Sequence, residues 1–366
     1  MRLAVDARIL HAPSAGSAYY TRGWLGALSK TGFEGEVLLI GPAPTAGMLD
    51  NGVPAEDIVV EGAGLCDQTW EQTKLPPLLQ ELQPDVLISP TSTLPVLRSC
   101  PQVNIVYDLG FEHHPKFYAQ PLRAYLRRWV PRSCRAADRV VTLSEFGKGE
   151  LVGAYGVESD EIAICPGAAD ERFRPVENRA DIKAIREKYG LKGRVMLSVC
   201  SMERNKNLPR LLEAFAAASA QSENEWTLVL TGRGGGALQQ IQQMVQDLEI
   251  ADRVVLTGFV PDEDLPLLYA TAEIFAFVSL YEGFGLPPLE AMACGTAVLA
   301  SNAASLPEVV GDAGVLVDPE DTDAVTAAMI ALMGSIRTRT ELAQAGQERA
   351  NRFSWTVTAR GILDTC

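Results

Sequence analysis

At 366 residues, with 47% hydrophobic and 21% charged side chains, the chain exceeds one ordinary core and has the composition of two globular domains. A net charge of −14, spread over both halves, excludes nucleic acid as the main partner, because phosphate backbones are bound by basic surfaces. Seven dispersed cysteines and three histidines offer no zinc or redox pattern, so reduced cytosolic thiols and no metal site are expected.

The chain opens on an apolar stretch, Leu3-Ala4-Val5, that meets Asp6 and Arg8, which reads as a buried first strand and not as a signal peptide. No run of about 18 uncharged apolar residues reads as a membrane span. Strands are predicted at 2–7, 36–40, 57–60, 85–89, 103–107, 139–143 and 161–165. Between Leu122 and Arg139, six arginines face one aspartate, and Leu122, Tyr125, Leu126, Trp129 and Val130 recur at helical spacing as far as Pro131. Such a segment is either a core-packed helix with a solvated basic face or a peripheral contact with anionic lipid or a lipid diphosphate.

After Pro166 the periodicity fades through Gly167 to Pro175, and a charged helical segment comes next at 178–189. Strands resume near 194–199, 226–231, 253–257, 274–278, 297–300 and 314–317, with helical spacing over 207–220, 237–249 and 321–333. Two alternating series predict an α/β chain of two Rossmann-like, doubly wound parallel-sheet domains facing a cleft. The expected domains are 1–170 and 171–350. The last helices, 338–352 and 354–364, are expected to brace the lobes, with 351–366 packing back on the first domain. In open sheets of this kind ligands bind beyond the carboxyl ends of the strands.

The densest signal runs from Tyr281 to Gly295: Tyr-Glu-Gly-Phe-Gly-Leu-Pro-Pro-Leu-Glu-Ala-Met-Ala-Cys-Gly. A strand ends in a glycine-bearing loop, two prolines suit a helix start, and Gly295 suits its end. Free amides at that helix start favour a diphosphate. Glu290 is expected in the first turn, accepting from ribose hydroxyls, and Glu282 reaches another part of the same ligand.

This segment resembles the Glu-x7-Glu donor motif of retaining glycosyltransferases of the GT-B fold, and the surrounding sequence resembles glycosyltransferase family four. The resemblance implies that Glu290 binds ribose, that Glu282 lies by the transferred sugar, and that amides at Phe284, Gly285 and Leu286 hold sugar and phosphate. Met202-Glu203-Arg204-Asn205-Lys206-Asn207 is similar to the family's diphosphate-binding Arg-Lys-Asn segment. Lys206 takes the lysine position, Asn205 stands where arginine is expected, and Arg204 is a substitute one residue earlier. Cations at a helix start oppose its dipole, so a phosphate partner would explain them.

Gly16, in the loop 13–17 after the first strand, matches the glycine that lets the backbone approach phosphate and sugar. It is not part of a dinucleotide fingerprint. Tyr107-Asp108-Leu109 stands where many relatives have His-Asp-Leu, which makes Asp108 a site candidate, whereas tyrosine cannot serve as an imidazole acid/base. Ser144 is either a phosphate-facing residue or a helix N-cap. Thr257 to Val260 matches the loop that cradles the base, giving Val260 a backbone role.

The resemblance implies that a hexose, most like mannose in bacterial polysaccharide biosynthesis, moves from a nucleoside-diphosphate sugar to a glycan or lipid-linked saccharide. GDP-mannose is favoured over a UDP-sugar, with no cofactor or metal. Catalysis is assigned to Glu282, Asp108 and Lys206. Donor binding is assigned to Gly16, Arg204, Lys206, Glu282, Phe284, Gly285, Leu286, Glu290 and Val260. A cytoplasmic protein, peripheral at the inner membrane face through 122–139, is expected. The alternatives are a glycoside hydrolase using Glu282 and Glu290, a non-catalytic nucleotide-sugar binding subunit, and a sugar-nucleotide epimerase.

Overall fold

The computed structural model describes residues 1–11, 16–45, 47, 54–60, 68–176 and 178–366. Of the expected glycine loop, 13–15 therefore lie outside the described residues. The chain divides into two compact units, Met1–Ala168 with Ser354–Cys366, and Ala169–Phe353.

In the first unit, strands β1 (Arg2–Asp6), β2 (Glu36–Gly41), β3 (Ala55–Val59), β4 (Val86–Ser89), β5 (Gln102–Ile105), β6 (Arg139–Thr142) and β7 (Ile162–Ile164) form a seven-stranded sheet. Its order is β3-β2-β1-β4-β5-β6-β7, and all pairs are parallel. Central strands are covered on both faces, which is why Leu3-Ala4-Val5 reads as an unbroken apolar run. Helix α1 (Gly16–Gly26) comes after β1, and α2 (Gln120–Ala136) and α3 (Glu145–Tyr155) flank β6. Ser144 caps α3 by accepting from the Gly147 amide at 3.0 Å, so its side chain is used as the N-cap.

Helix α2 runs through Pro131 to Ala136. A proline removes one helical hydrogen bond, and here tertiary packing outweighs that loss. Val130, Ser133 and Cys134 are buried on either side of it, and Ser133 Oγ accepts from the Leu94 amide at 2.9 Å.

The order of this sheet reverses between β1 and β4, and a sealed ion network fills that point. Arg8 Nη2 lies 2.5 Å from Asp6 and 2.9 Å from Glu71, and its guanidinium rests 4.5 Å from the Trp70 ring centroid. Thr93 donates to the same Glu71 oxygen at 2.7 Å.

The second unit carries β8 (Arg194–Val199), β9 (Trp226–Thr231), β10 (Val254–Gly258), β11 (Ile274–Phe277), β12 (Ala297–Ser301) and β13 (Gly314–Val317) in a parallel sheet ordered β10-β9-β8-β11-β12-β13. Helices α4 (Leu208–Ala220), α5 (Leu265–Thr271), α6 (Leu286–Ala293) and α7 (Ile336–Ala350) carry or brace the candidate site residues of this unit. Phe215, Trp226, Phe275 and Leu299 are among its fully buried core residues. Helix α7 packs on α6, where a side chain at Gly346 would meet Met292.

The last helix, α8 (Trp355–Leu363), belongs to the first unit. Its Trp355 ring meets the rings of Tyr19 and Tyr20 on α1 edge-on at 6.2 and 5.6 Å, and Thr358 donates to the Pro166 carbonyl. Asn351 to Phe353 group with the second unit.

Candidate functional site

The reversal of strand order in the second unit falls between β8 and β11, and the chain segments that leave these strands are fastened together. The Asn205 carbonyl accepts from the Leu280 amide at 2.8 Å and from Ser279 Oγ at 2.9 Å. Asn207 is buried in the left-handed region (φ 56°), and its amide donates to the carbonyls of Val278 at 3.1 Å and Pro319 at 2.7 Å. Asparagine tolerates this backbone better than most side chains. These bonds bring Lys206 to Glu282: Nζ lies 2.5 Å from Oε1, with the two side chains 17% and 16% exposed. The ammonium also sits 5.6 Å from the Phe277 ring centroid.

Beyond Glu282 the loop is held from the segment after β12. Ser305 Oγ donates toward both the Glu282 and Phe284 carbonyls at 2.8 Å. Gly285 has φ +118°, and a Cβ there would lie 2.6 Å from Leu306, so no other residue fits without strain. Pro287 and Pro288 in the first turn of α6 contribute no N–H. The donors left at this helix start are the amides of Phe284, Gly285 and Leu286, which bond to no other described residue. Free amides at a helix start are the kind of donor that suits an anion. The helix closes as expected at Gly295 (φ +77°), whose amide bonds Met292 while that of Thr296 bonds Ala291, the paired bonds of a Schellman end.

Glu290 departs from its expected place. Helix α6 begins at Leu286, which puts Glu290 at the fifth position, in the second turn, away from the dipole's strongest field. The residue is 6% exposed, Oε2 accepts from the Tyr269 hydroxyl at 2.8 Å, and burial pushes its pKa up to about 8.

Arg204 does not join Lys206. It is exposed and lines a recess with Asn207, Arg210, Glu213 and Gln240, because the 3-10 turn Arg204–Lys206 turns the two cations in different directions. Val260 is buried after β10, in a loop tied to the one after β9 by the Gly232 amide and the Gly258 carbonyl at 2.9 Å. Beside it the exposed Phe259 ring carries the Arg233 guanidinium at 5.1 Å.

In the first unit the candidates have local partners. Gly16 begins α1, and among the described residues nothing lies within 4 Å of where a Cβ would stand. Asp108 Oδ1 accepts from the Gly110 amide at 2.8 Å and from the Tyr118 hydroxyl at 3.4 Å. Tyr107 turns toward α1, its hydroxyl 3.1 Å from Thr21 Oγ1 and 3.3 Å from the Ser17 carbonyl, and burial raises its pKa above the usual phenol range.

Ser305 and Tyr269 shape the site without belonging to any motif, and Asn207 does so from the end of one. Ser305 precedes Leu306-Pro307-Glu308, a helix-start pattern, yet its hydroxyl serves the Glu282 loop instead of capping a helix. Among the described residues no group of three or more His, Cys, Asp or Glu converges as a metal set, and no helix is long and apolar enough to cross a membrane.

Two parallel, Rossmann-like sheets give the α/β architecture of the GT-B type. Comparison with known proteins fixes the class. The family Glycosyl transferases group 1 matches residues 181–349, and Glycosyltransferase Family 4 matches residues 15–173. The chain belongs to these glycosyltransferases.

It is 33% identical over 254 residues to O-antigen chain mannosyltransferase B of Escherichia coli, covering 69% of this chain and 66% of that protein. It is 30% identical over 272 residues to the serotype-specific mannosyltransferase WbdA of Escherichia coli, covering 72% of this chain and 32% of that one. The chain thus spans about two thirds and one third of the lengths of these curated relatives. The crystal structure of Anabaena Alr3699/HepE in complex with UDP-glucose shares the fold at a TM-score of 0.78 and 20% identity, over 100% of this chain and 98% of that one.

Proposed function

We propose that this glycosyltransferase moves mannose, with retention and without a metal ion, from GDP-mannose to a saccharide or lipid-linked saccharide. One observation carries the reading: Lys206 and Glu282 meet at 2.5 Å beside the unbonded amides of Phe284, Gly285 and Leu286. The relatives named as mannosyltransferases support the sugar, and through it the guanine nucleotide.

In this reaction the bond between the sugar C1 and the diphosphate oxygen breaks. A bond to the acceptor oxygen forms, and the acceptor's proton leaves with the diphosphate or to solvent. Charge grows on the leaving diphosphate. The three amides, held by the loop before the donor arrives, and Lys206, once the diphosphate has taken it from Glu282, stabilise that charge. Arrival of the diphosphate draws Lys206 away from Glu282, which frees the carboxylate to hold the sugar's hydroxyls. Glu290 anchors the ribose. The two glutamates have separate partners, Lys206 and Tyr269, which favours two grips on one donor over the facing acid and nucleophile of a hydrolase.

The basic helix α2 supports a peripheral contact with anionic lipid. Trp129 lies between Arg128 and Arg132, whose guanidinium carbons are 5.7 and 5.9 Å from its ring centroid, and Leu122 is 38% exposed one to two turns earlier. Arg127 and Arg135 are partly engaged, with Glu112 at 2.9 Å and the Tyr155 carbonyl at 3.2 Å.

The test is a thermal-shift series with GDP, UDP, ADP and their sugars, with and without EDTA. GDP and GDP-mannose are expected to give the largest stabilisation, unchanged by EDTA. No shift with any nucleotide would remove the donor site, and a larger shift with UDP would reassign the base.

A further inference from the structure

Glu290 is nearly enclosed, yet only one of its oxygens is used. Oε2 accepts from Tyr269, while Oε1 makes no hydrogen bond among the described residues and is not sealed from solvent. An oxygen that still reaches solvent inside a mostly enclosed side chain can exchange water for a ligand group. A ligand hydroxyl would satisfy it.

The group that holds the other oxygen is itself rigid. Tyr269 is fully buried on α5, its ring edge-on to Phe173 at 5.6 Å and tilted against Phe275 at 5.4 Å. Thr296 Oγ1 fixes its backbone by donating to the Tyr269 carbonyl at 2.7 Å. The packed ring therefore holds its hydroxyl against Glu290 Oε2.

We propose that Tyr269 is the positioning residue for Glu290, holding Oε2 so that Oε1 is aimed at the ribose hydroxyls of the donor. The inference rests on the assignment of Glu290 to the ribose. It gives the protein a means of telling ribonucleotides from their deoxy forms: a carboxyl fixed at one oxygen rewards a hydroxyl at the other. A carboxyl free to turn loses rotational entropy in making the same contact.

Calorimetric titration of the whole chain with GDP and with 2′,3′-dideoxy-GDP tests this. The unaltered protein is expected to prefer GDP by about tenfold or more, the range in which a bond to a buried polar group discriminates. Tyr269→Phe deletes one oxygen and keeps the packed ring. It is expected to bring that preference to within about threefold while leaving dideoxy-GDP binding unchanged, and to raise donor KM more than it lowers kcat. Equal weakening of both nucleotides, or an unchanged preference, would overturn the proposal, because a merely structural hydroxyl cannot move the ratio alone.

Glu290→Gln supplies an independent check. Its amide oxygen still accepts from Tyr269 and its nitrogen donates toward the ribose, so part of the preference survives. A loss as complete as that of Glu290→Ala counts against positioning. If Glu290→Ala keeps the full preference, the ribose assignment itself fails. If Glu290→Ala loses it and Tyr269→Phe does not, only the role of Tyr269 fails.

Discussion

Each sheet places charged groups at the point where its strand order reverses, and the two clusters are built differently. At β1/β4, Arg8, Asp6 and Glu71 have side chains 0% to 1% exposed, and the hydroxyl of Thr93 completes Glu71. At β8/β11, Lys206 and Glu282 retain 17% and 16% exposure and lie beside amides that make no bond among the described residues. The same topological position thus holds a closed network in one unit and an open one in the other. Charge at a switch point does not by itself mark a site. The proposed site rests instead on charge that is partly reachable, next to donors with no acceptor among the described residues.

The most severe test of this contrast removes one cation from each cluster. Arg8→Met leaves two buried carboxyls without their counter-charge, and losing one partner of a buried pair typically costs about 3–5 kcal/mol. A fall of that size in unfolding free energy is expected by urea denaturation. Lys206→Met removes a partly exposed charge, so its stability change should be no more than about 1 kcal/mol. Its kcat/KM should fall by about 10²- to 10³-fold, the loss seen when one preorganised charge stabiliser is deleted. If Lys206→Met unfolds the protein, or Arg8→Met leaves stability unchanged, the closed and open clusters have been misread.

Glu290 extends the contrast, because it is a buried carboxyl with one partner where Glu71 has several. Its folded-state pKa is raised to about 8, mainly by burial. Between its ordinary value and about pH 8 the unfolded chain ionises this group while the folded protein keeps it neutral, so its contribution to stability falls as pH rises through that window. Glu290→Gln cannot ionise. The difference in urea midpoint between variant and parent should grow from pH 5 to pH 8, reaching on the order of a few kcal/mol in the variant's favour. A constant difference across that range would mean that the carboxyl is charged in the folded state.

The strands were legible because a parallel strand buried on both faces is a short apolar run bounded by polar turns. The predicted spans at 194–199, 226–231 and 314–317 coincide with β8, β9 and β13. The Lys206 and Glu282 motifs were legible as strings of residues with a phosphate-like context. The bonds that fasten them were not. Asn207 reaches a carbonyl 71 residues away, and Tyr269 reaches a carboxyl 21 residues away on another helix. A side chain bonded to a distant group leaves no periodicity, and asparagine, serine and tyrosine are common in loops and helices. Glu290 stands one residue further into α6, just past the first turn, because Leu286, ahead of both prolines, already belongs to the helix. Arg204 could not be oriented at all, since a 3-10 turn sends residues two apart to different faces.

The smallest effect is expected at Tyr107, in the first unit, where a tyrosine occupies a position that a histidine often fills. Its hydroxyl is spent on Thr21 and the Ser17 carbonyl, and its ring lies edge-on to Tyr20 at 5.7 Å. Tyr107→Phe keeps the ring contact and deletes the hydroxyl, so it should lower stability by about 1 kcal/mol and change kcat by less than about threefold. Its pH–rate profile should superimpose on that of the parent, because a buried phenol held above its usual range does not exchange protons near neutrality. A loss of kcat comparable to that of Lys206→Met would move the chemistry into the first unit and make its closed appearance there misleading.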